Sequence, residues 1–126
     1  MRLKLLSLDL DLSVCKLSSN EEVPKWVNAE GFFSVTQTDE ELSIVCPTSA
    51  IPTGIEITKE DGWKAFKIEG VLDFSLTGIL KTVIDPLAEE KISVFTVSTY
   101  NTDYVLVKKE DFLRAKEVLA VHFDVS

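Results

Sequence analysis

Between Leu6 and Ser13 apolar and polar residues alternate without a break, Leu6, Leu8, Leu10 and Leu12 against Ser7, Asp9, Asp11 and Ser13. A period of two predicts a half-buried strand with its leucine face inward. Residues 24–29 predict a short helix, because Pro24 suits a first helical turn and Gly31 closes the segment. Two stretches place apolar runs around a polar turn, the pattern of a β-hairpin: FSVTQTDEELSIV at residues 33–45 and FTVSTYNTDYVLV at residues 95–107. Residues 46–52, CPTSAIP, hold two prolines and are expected as loop or irregular edge. Asp61-Gly62 reads as a turn, followed by a strand over residues 63–69 that Gly70 ends. Ile79, Leu80, Val83, Ile84, Leu87 and Ala88 then recur at the spacing of one helix face. Pro86 is expected to kink or shorten that helix, since it lacks an N–H and crowds the carbonyl four residues back. Residues 110–119 predict a last amphipathic helix, with acidic residues at the end where the helix dipole favours them.

The two hairpin segments align without a gap at an offset of about 62 residues, Phe33 over Phe95, Val35 over Val97 and Val45 over Val107. At the same offset Leu10-Asp11-Leu12-Ser13 lies over Leu72-Asp73-Phe74-Ser75, and Pro24 over Pro86. Such a repeat points to two structural units, each too small to bury enough surface alone. The pattern predicts two βαββ-type units side by side, residues 1–60 and 61–126. Together they give an α+β fold, an antiparallel sheet with helices packed on one face.

Composition narrows the function classes. With 13 Lys and Arg against 21 Asp and Glu, the net charge of −8 makes nucleic acid a poor partner, because phosphates are neutralised by cations. No run of apolar residues is long enough to cross a bilayer. The opening MRLKLLSLDLDL is interrupted by Asp9 and Asp11, so it does not read as a secretory signal, and a cytoplasmic location is expected. Cys15 and Cys46 lack CxxC spacing and read as buried reduced thiols. His122 is alone, with no ligand at metal-binding spacing. No cofactor is implied.

Candidate chemistry sits at the strand-to-helix junction, residues 70–80. Unpaired N–H groups at a helix start attract an anion, and Gly78 lets a ligand approach the backbone closely. Asp73, a few residues earlier, would accept from an ammonium through a charge-assisted hydrogen bond. Together these groups suit a zwitterion such as a free amino acid. The plainer alternative is that Asp73 or Ser75 caps the helix and Gly78 packs close to the sheet. The turn Tyr100-Asn101-Thr102-Asp103 is equally explained by common turn formers.

LDFSLTGIL, followed by PLAEEKISVFTVSTYNTDYVLV and KKEDFLRAKEVL, resembles the ACT-domain family, in particular the paired-ACT branch that shares its domain with the CASTOR arginine sensors. The likeness is strong over residues 63–121 and weaker over residues 3–52, a degenerate first copy. It implies ferredoxin-like βαββαβ units that pair edge to edge and bind an amino acid or similar small effector at their interface. The loop contacts implied are Asp73, Phe74, Thr77, Gly78 and Ile79, and the Thr-aromatic-x-x-Asp turn adds Thr99, Tyr100 and Asp103. The first copy has Lys16 opposite Gly78 and Thr38 opposite Tyr100, which suits a structural partner. The expectation is a non-catalytic sensor, a homodimer acting on a partner protein; the alternative is a ligand-free assembly module. An enzyme working through Asp73 or Asp103 is disfavoured, since no positioned nucleophile, His-acid pair or metal cluster accompanies them.

Overall fold

The computed structural model describes residues 3–27, 31–69 and 78–126. Its strands and α-helices are, in chain order, β1 (Lys4–Leu17), β2 (Ser34–Gln37), β3 (Leu42–Pro47), β4 (Thr58–Ile68), α1 (Ile79–Glu89), β5 (Val94–Ser98), β6 (Asp103–Lys108), α2 (Phe112–Ala120) and β7 (Asp124–Val125). They form two compact units, Leu10–Trp63 and a flanking unit made of Met1–Asp9 with Lys64–Ser126. The chain therefore passes between units twice, within β1 and within β4, where the sequence pattern suggests one boundary near residue 60.

In the Leu10–Trp63 unit the strand order is β2-β3-β1-β4. β3 pairs antiparallel with β1, from Leu12↔Pro47 to Leu17↔Leu42, and with β2, from Ser34↔Val45 to Gln37↔Leu42. Cys15, Val27, Leu42, Ile44 and Cys46 form its core. The expected helix at 24–29 is a 3₁₀ turn, Lys25–Val27, closed by a bond from the Val27 N–H to the Pro24 carbonyl, and residues 28–30 lie outside the described set. Its role is to drop Val27 into that core at 1% exposure. CPTSAIP is not all loop: β3 continues through Cys46 and Pro47 before a 3₁₀ turn at Thr48–Ala50. Proline is tolerated at that last strand position, where no further ladder N–H is needed.

Asp61-Gly62 does not turn the chain. Both lie inside β4, because Gly62 takes a φ of 82°, a left-handed kink that glycine absorbs without ending the strand.

The flanking unit runs β4-α1-β5-β6-α2-β7, the βαββαβ order, on a sheet ordered β1-β4-β6-β5 with β7 beside β1. β5 and β6 form the expected hairpin, Val94↔Val107 through Ser98↔Asp103, and β7 joins β1 in parallel at Lys4↔Asp124 and Leu5↔Val125. Leu5, Phe66, Ile68, Val105 and Val107 meet Val83 and Leu87 of α1 and Ala115 and Leu119 of α2 in one core. Helices thus cover one sheet face, as expected for a two-layer α+β unit. α1 carries through Pro86 to Glu89, past the last position of the predicted apolar face, and ends as Lys91 takes a positive φ of 59°, so the shortening expected at the proline does not occur.

Burial along β1 differs from the alternation in one respect. Leu6, Leu8 and Leu10 are half-buried and Leu12 is buried, while Leu5 and Cys15, on the opposite parity, are fully buried. On that parity Leu5 enters the core of the flanking unit and Cys15 the core of the Leu10–Trp63 unit.

Ser13, on that opposite parity and 0% exposed, donates to Asp61 Oδ1 at 2.5 Å and shares a 2.7 Å bond with Thr48 Oγ1. It thereby ties β1, the end of β3 and β4 together within one unit. The Lys59 ammonium, at 2.6 Å, and then the Ser13 hydroxyl hold the Asp61 carboxyl below its ordinary range. Ser13→Ala is expected to cost about 1–2 kcal/mol of unfolding free energy, since two hydrogen bonds go while Asp61 keeps Lys59 and water. A depressed carboxyl pKa adds stability that is present above the unfolded value and lost as pH falls through the folded one. Urea titrations should therefore show a shallower acid loss for Ser13→Ala than for the wild type.

Candidate functional site

The turn between β5 and β6 is closed by bonds among its own residues. The Thr99 N–H donates to the Thr102 carbonyl at 2.8 Å, the Thr99 hydroxyl donates to the same oxygen at 3.0 Å, and the Thr102 N–H donates back to Thr99 Oγ1 at 3.3 Å. At its base Ser98 Oγ donates to Asp103 Oδ1 at 2.5 Å, which orients the carboxylate. Asp103 is half-buried, while Thr99 and Asn101 are exposed and Tyr100 is 80% exposed. The Tyr100 ring at the turn tip is therefore no part of the core.

Thr102 is the exception within the turn, 4% exposed, and its hydroxyl donates to the Ile68 carbonyl at 2.7 Å. That bond docks the turn on the last residue of β4, from which the chain leads toward α1. No signal in the sequence singles out Thr102, because a threonine in a TYNTD turn carries no mark of burial; its contact with Ile68 spans 34 positions.

α1 begins after Gly78, the N-cap, at φ 79°. No atom of the described residues lies within 4 Å of where a Cβ would stand there, and the left-handed backbone is itself the reason for glycine. Gly78 supplies no side-chain cap, and the first turn of α1 holds no acidic residue. The early N–H groups of a helix lack intrahelical partners, and the dipole adds partial positive charge at that end. Ile79 is half-buried and packs on the core beneath the helix. Of the candidate site residues, Asp73, Phe74 and Thr77, with the alternative cap Ser75, lie outside the described set. Gly78 and Ile79 stand at the start of α1, and Thr99, Tyr100 and Asp103 stand on the β5–β6 turn.

Other reactive groups sit elsewhere. Cys15 and Cys46 are free and buried in the Leu10–Trp63 core. The Cys46 thiol donates to the Cys15 sulfur, which holds Cys15 below the ordinary thiol value against the effect of burial; the same bond, aided by burial, pushes Cys46 far above it. Among the described residues no three His, Cys, Asp or Glu side chains gather as a metal site, and no helix is long and apolar enough to cross a membrane.

Comparison with known proteins adds an independent line. A family model described as "ACT domain" matches residues 58–120, and a second, for an N-terminal domain, matches residues 11–54. The chain is similar to the human "Putative protein CASTOR3P", 35% identical over an alignment of 105 residues, with 75% of this chain and 64% of that protein covered. It is 31% identical over 103 residues to the human "Cytosolic arginine sensor for mTORC1 subunit 1", covering 75% of this chain but 31% of the sensor. The chain thus spans about two thirds of one curated relative and under a third of the other. Among solved structures, a protein from Agrobacterium tumefaciens superposes with a TM-score of 0.91 at 37% identity, over 100% of this chain and 93% of that one. Aspartate kinase from Clostridium acetobutylicum shares the fold, with a TM-score of 0.67 at 14% identity over 90% of this chain and 33% of the kinase.

Proposed function

Because this chain belongs to the ACT-domain family, we propose that it is a non-catalytic regulatory module that binds a free amino acid or similar small effector at an ACT–ACT interface. The observation that carries the proposal is the start of α1. Gly78 brings no capping side chain of its own to that helix end, and the first turn holds no acidic residue, which suits a seat for the ligand carboxylate. Asp103, its carboxylate aimed by Ser98, and Asp73 supply acceptors for an ammonium group. Thr99 spends its hydroxyl proton on the Thr102 carbonyl, so toward a ligand it offers a lone pair. Phe74, Thr77, Ile79 and Tyr100 are the further ligand contacts that the ACT resemblance implies.

Arginine is the first ligand to test, since curated relatives are named as sensors of it. The same name supports a cytosolic setting. β5 pairs only with β6 among the described strands, and an open edge is a template for pairing with a second copy, which supports a homodimer. Binding would then bias one arrangement of units over another by a coupling of about 1 to 3 kcal/mol, read out by a partner protein.

Thermal unfolding with L-arginine, and then with each common amino acid at millimolar concentration, tests the reading. A ligand at about 100 times its dissociation constant adds about 2.7 kcal/mol of stability. No shift with any of them sinks the binding reading and leaves the ligand-free assembly module.

A further inference from the structure

We infer that Thr102 is the positioning residue of this site: its buried hydroxyl latches the β5–β6 turn to the end of β4, so that the turn and the strand end hold one fixed separation. The inference rests on the ligand reading above, and it starts from an oddity of burial. Thr99, Tyr100 and Asn101 are exposed, yet Thr102 is 4% exposed and Ile68 is 0% exposed. Burying a hydroxyl is unfavourable unless it is bonded, and valine would fill the same volume without that cost. What the hydroxyl adds is the 2.7 Å bond to the Ile68 carbonyl.

Every polar group of Thr102 is engaged. Its N–H meets Thr99 Oγ1, its carbonyl accepts from the Thr99 N–H and hydroxyl, and its own hydroxyl reaches β4. The turn thus continues covalently into β6 through this residue, and the hydroxyl of the same residue bonds it to β4, the strand beside β6 in the sheet. Asp103 is the next residue along, so the position of its carboxylate relative to β4 is set one peptide away. The ammonium acceptor proposed at Asp103 then depends on a bond that Asp103 does not itself make. A displacement of about 1 Å in a binding group is enough to lose much of its contribution.

Two substitutions separate the latch from mere packing: Thr102→Val keeps the shape and removes the hydroxyl, and Thr102→Ser keeps the hydroxyl and removes a methyl. Calorimetric titration with L-arginine, or with whichever amino acid stabilises the wild type most, is expected to show about tenfold weaker binding for Thr102→Val, the loss of one hydrogen bond. Thr102→Ser is expected to bind as the wild type does. Amide hydrogen exchange gives a readout free of ligand. The Thr99 N–H, bonded to Thr102, and the Glu69 N–H, bonded to Lys4, should both exchange about tenfold faster in Thr102→Val, measured relative to the core amides of Val105 and Leu106. Unchanged affinity in a folded Thr102→Val protein overturns the inference. So does a Thr102→Ser protein that falls with it, unchanged exchange at Thr99 and Glu69, or a Thr102→Val chain that does not fold, since each makes Thr102 a packing residue. If the wild type binds no amino acid, the ligand reading fails by itself, and the exchange rates alone decide whether Thr102 holds the turn to β4.

Discussion

Replacing Phe66 by alanine is expected to lower the unfolding free energy by about 3–5 kcal/mol, the range for deleting a buried aromatic side chain. Phe66 is 0% exposed in the flanking-unit core and stacks on Phe112, ring centroids 5.0 Å apart and planes 20° from parallel. It is the largest fully buried side chain in the protein's described residues. Its removal forfeits the transfer of a benzyl group from water and leaves a cavity that Val83, Leu87 and Leu119, held on two helices, fill only in part. Stacking adds about 0.5–1.5 kcal/mol to what area alone gives. Domains of this size are stable by about 5–15 kcal/mol, so the substitution consumes a large share of the total. Urea unfolding should show a lower midpoint with an unchanged slope. Phe33→Ala, at a residue 43% exposed, is the control and should move the midpoint far less.

Asp103→Ala is expected to abolish ligand stabilisation, the loss of about 2.7 kcal/mol at 100 times the dissociation constant, while the protein without ligand changes by about 1 kcal/mol or less. The asymmetry follows from exposure. The Ser98–Asp103 bond is exposed, and water replaces it when the carboxylate is gone, whereas a bound ammonium shielded from water has no such substitute. Asp103→Asn, which can still accept from Ser98, isolates the charge: it should keep the stability of the free protein and lose the ligand shift. Asp73→Ala should behave like Asp103→Ala. A stabilisation that survives both alanine substitutions moves the site elsewhere, and one that survives only Asp103→Ala assigns the ammonium to Asp73.

Much of the flanking unit is legible in the chain. The face formed by Ile79, Leu80, Val83, Ile84, Leu87 and Ala88 becomes α1, with Val83 and Leu87 at 0% exposure, because the helix period is imposed by local hydrogen bonding and repeats every few residues. The hairpin at 95–107 is equally local: the alternation of Phe95, Val97, Val105 and Val107 and the polar turn between them set the register Ser98↔Asp103. Gly78 reads in the sequence as a place for close approach of a ligand, and its φ of 79° shows a second reason for glycine that no neighbouring residue announces.

Features written in short windows of residues needed nothing beyond the chain: α1, α2, the hairpin, the ACT resemblance and the turn residues Thr99, Tyr100 and Asp103. How distant segments share the load emerged only on folding. β1 serves both units, with Leu5 in one core and Cys15 in the other, β4 continues past the kink at Gly62, and the two-residue β7 pairs with β1 at Lys4↔Asp124. Folding also turned Thr102 from a turn former into the anchor on Ile68. Each of these depends on hydrogen bonds and apolar contacts between residues tens of positions apart. Such contacts leave no period in the sequence, since the partner, and not the neighbour, supplies the missing donor, acceptor or apolar surface.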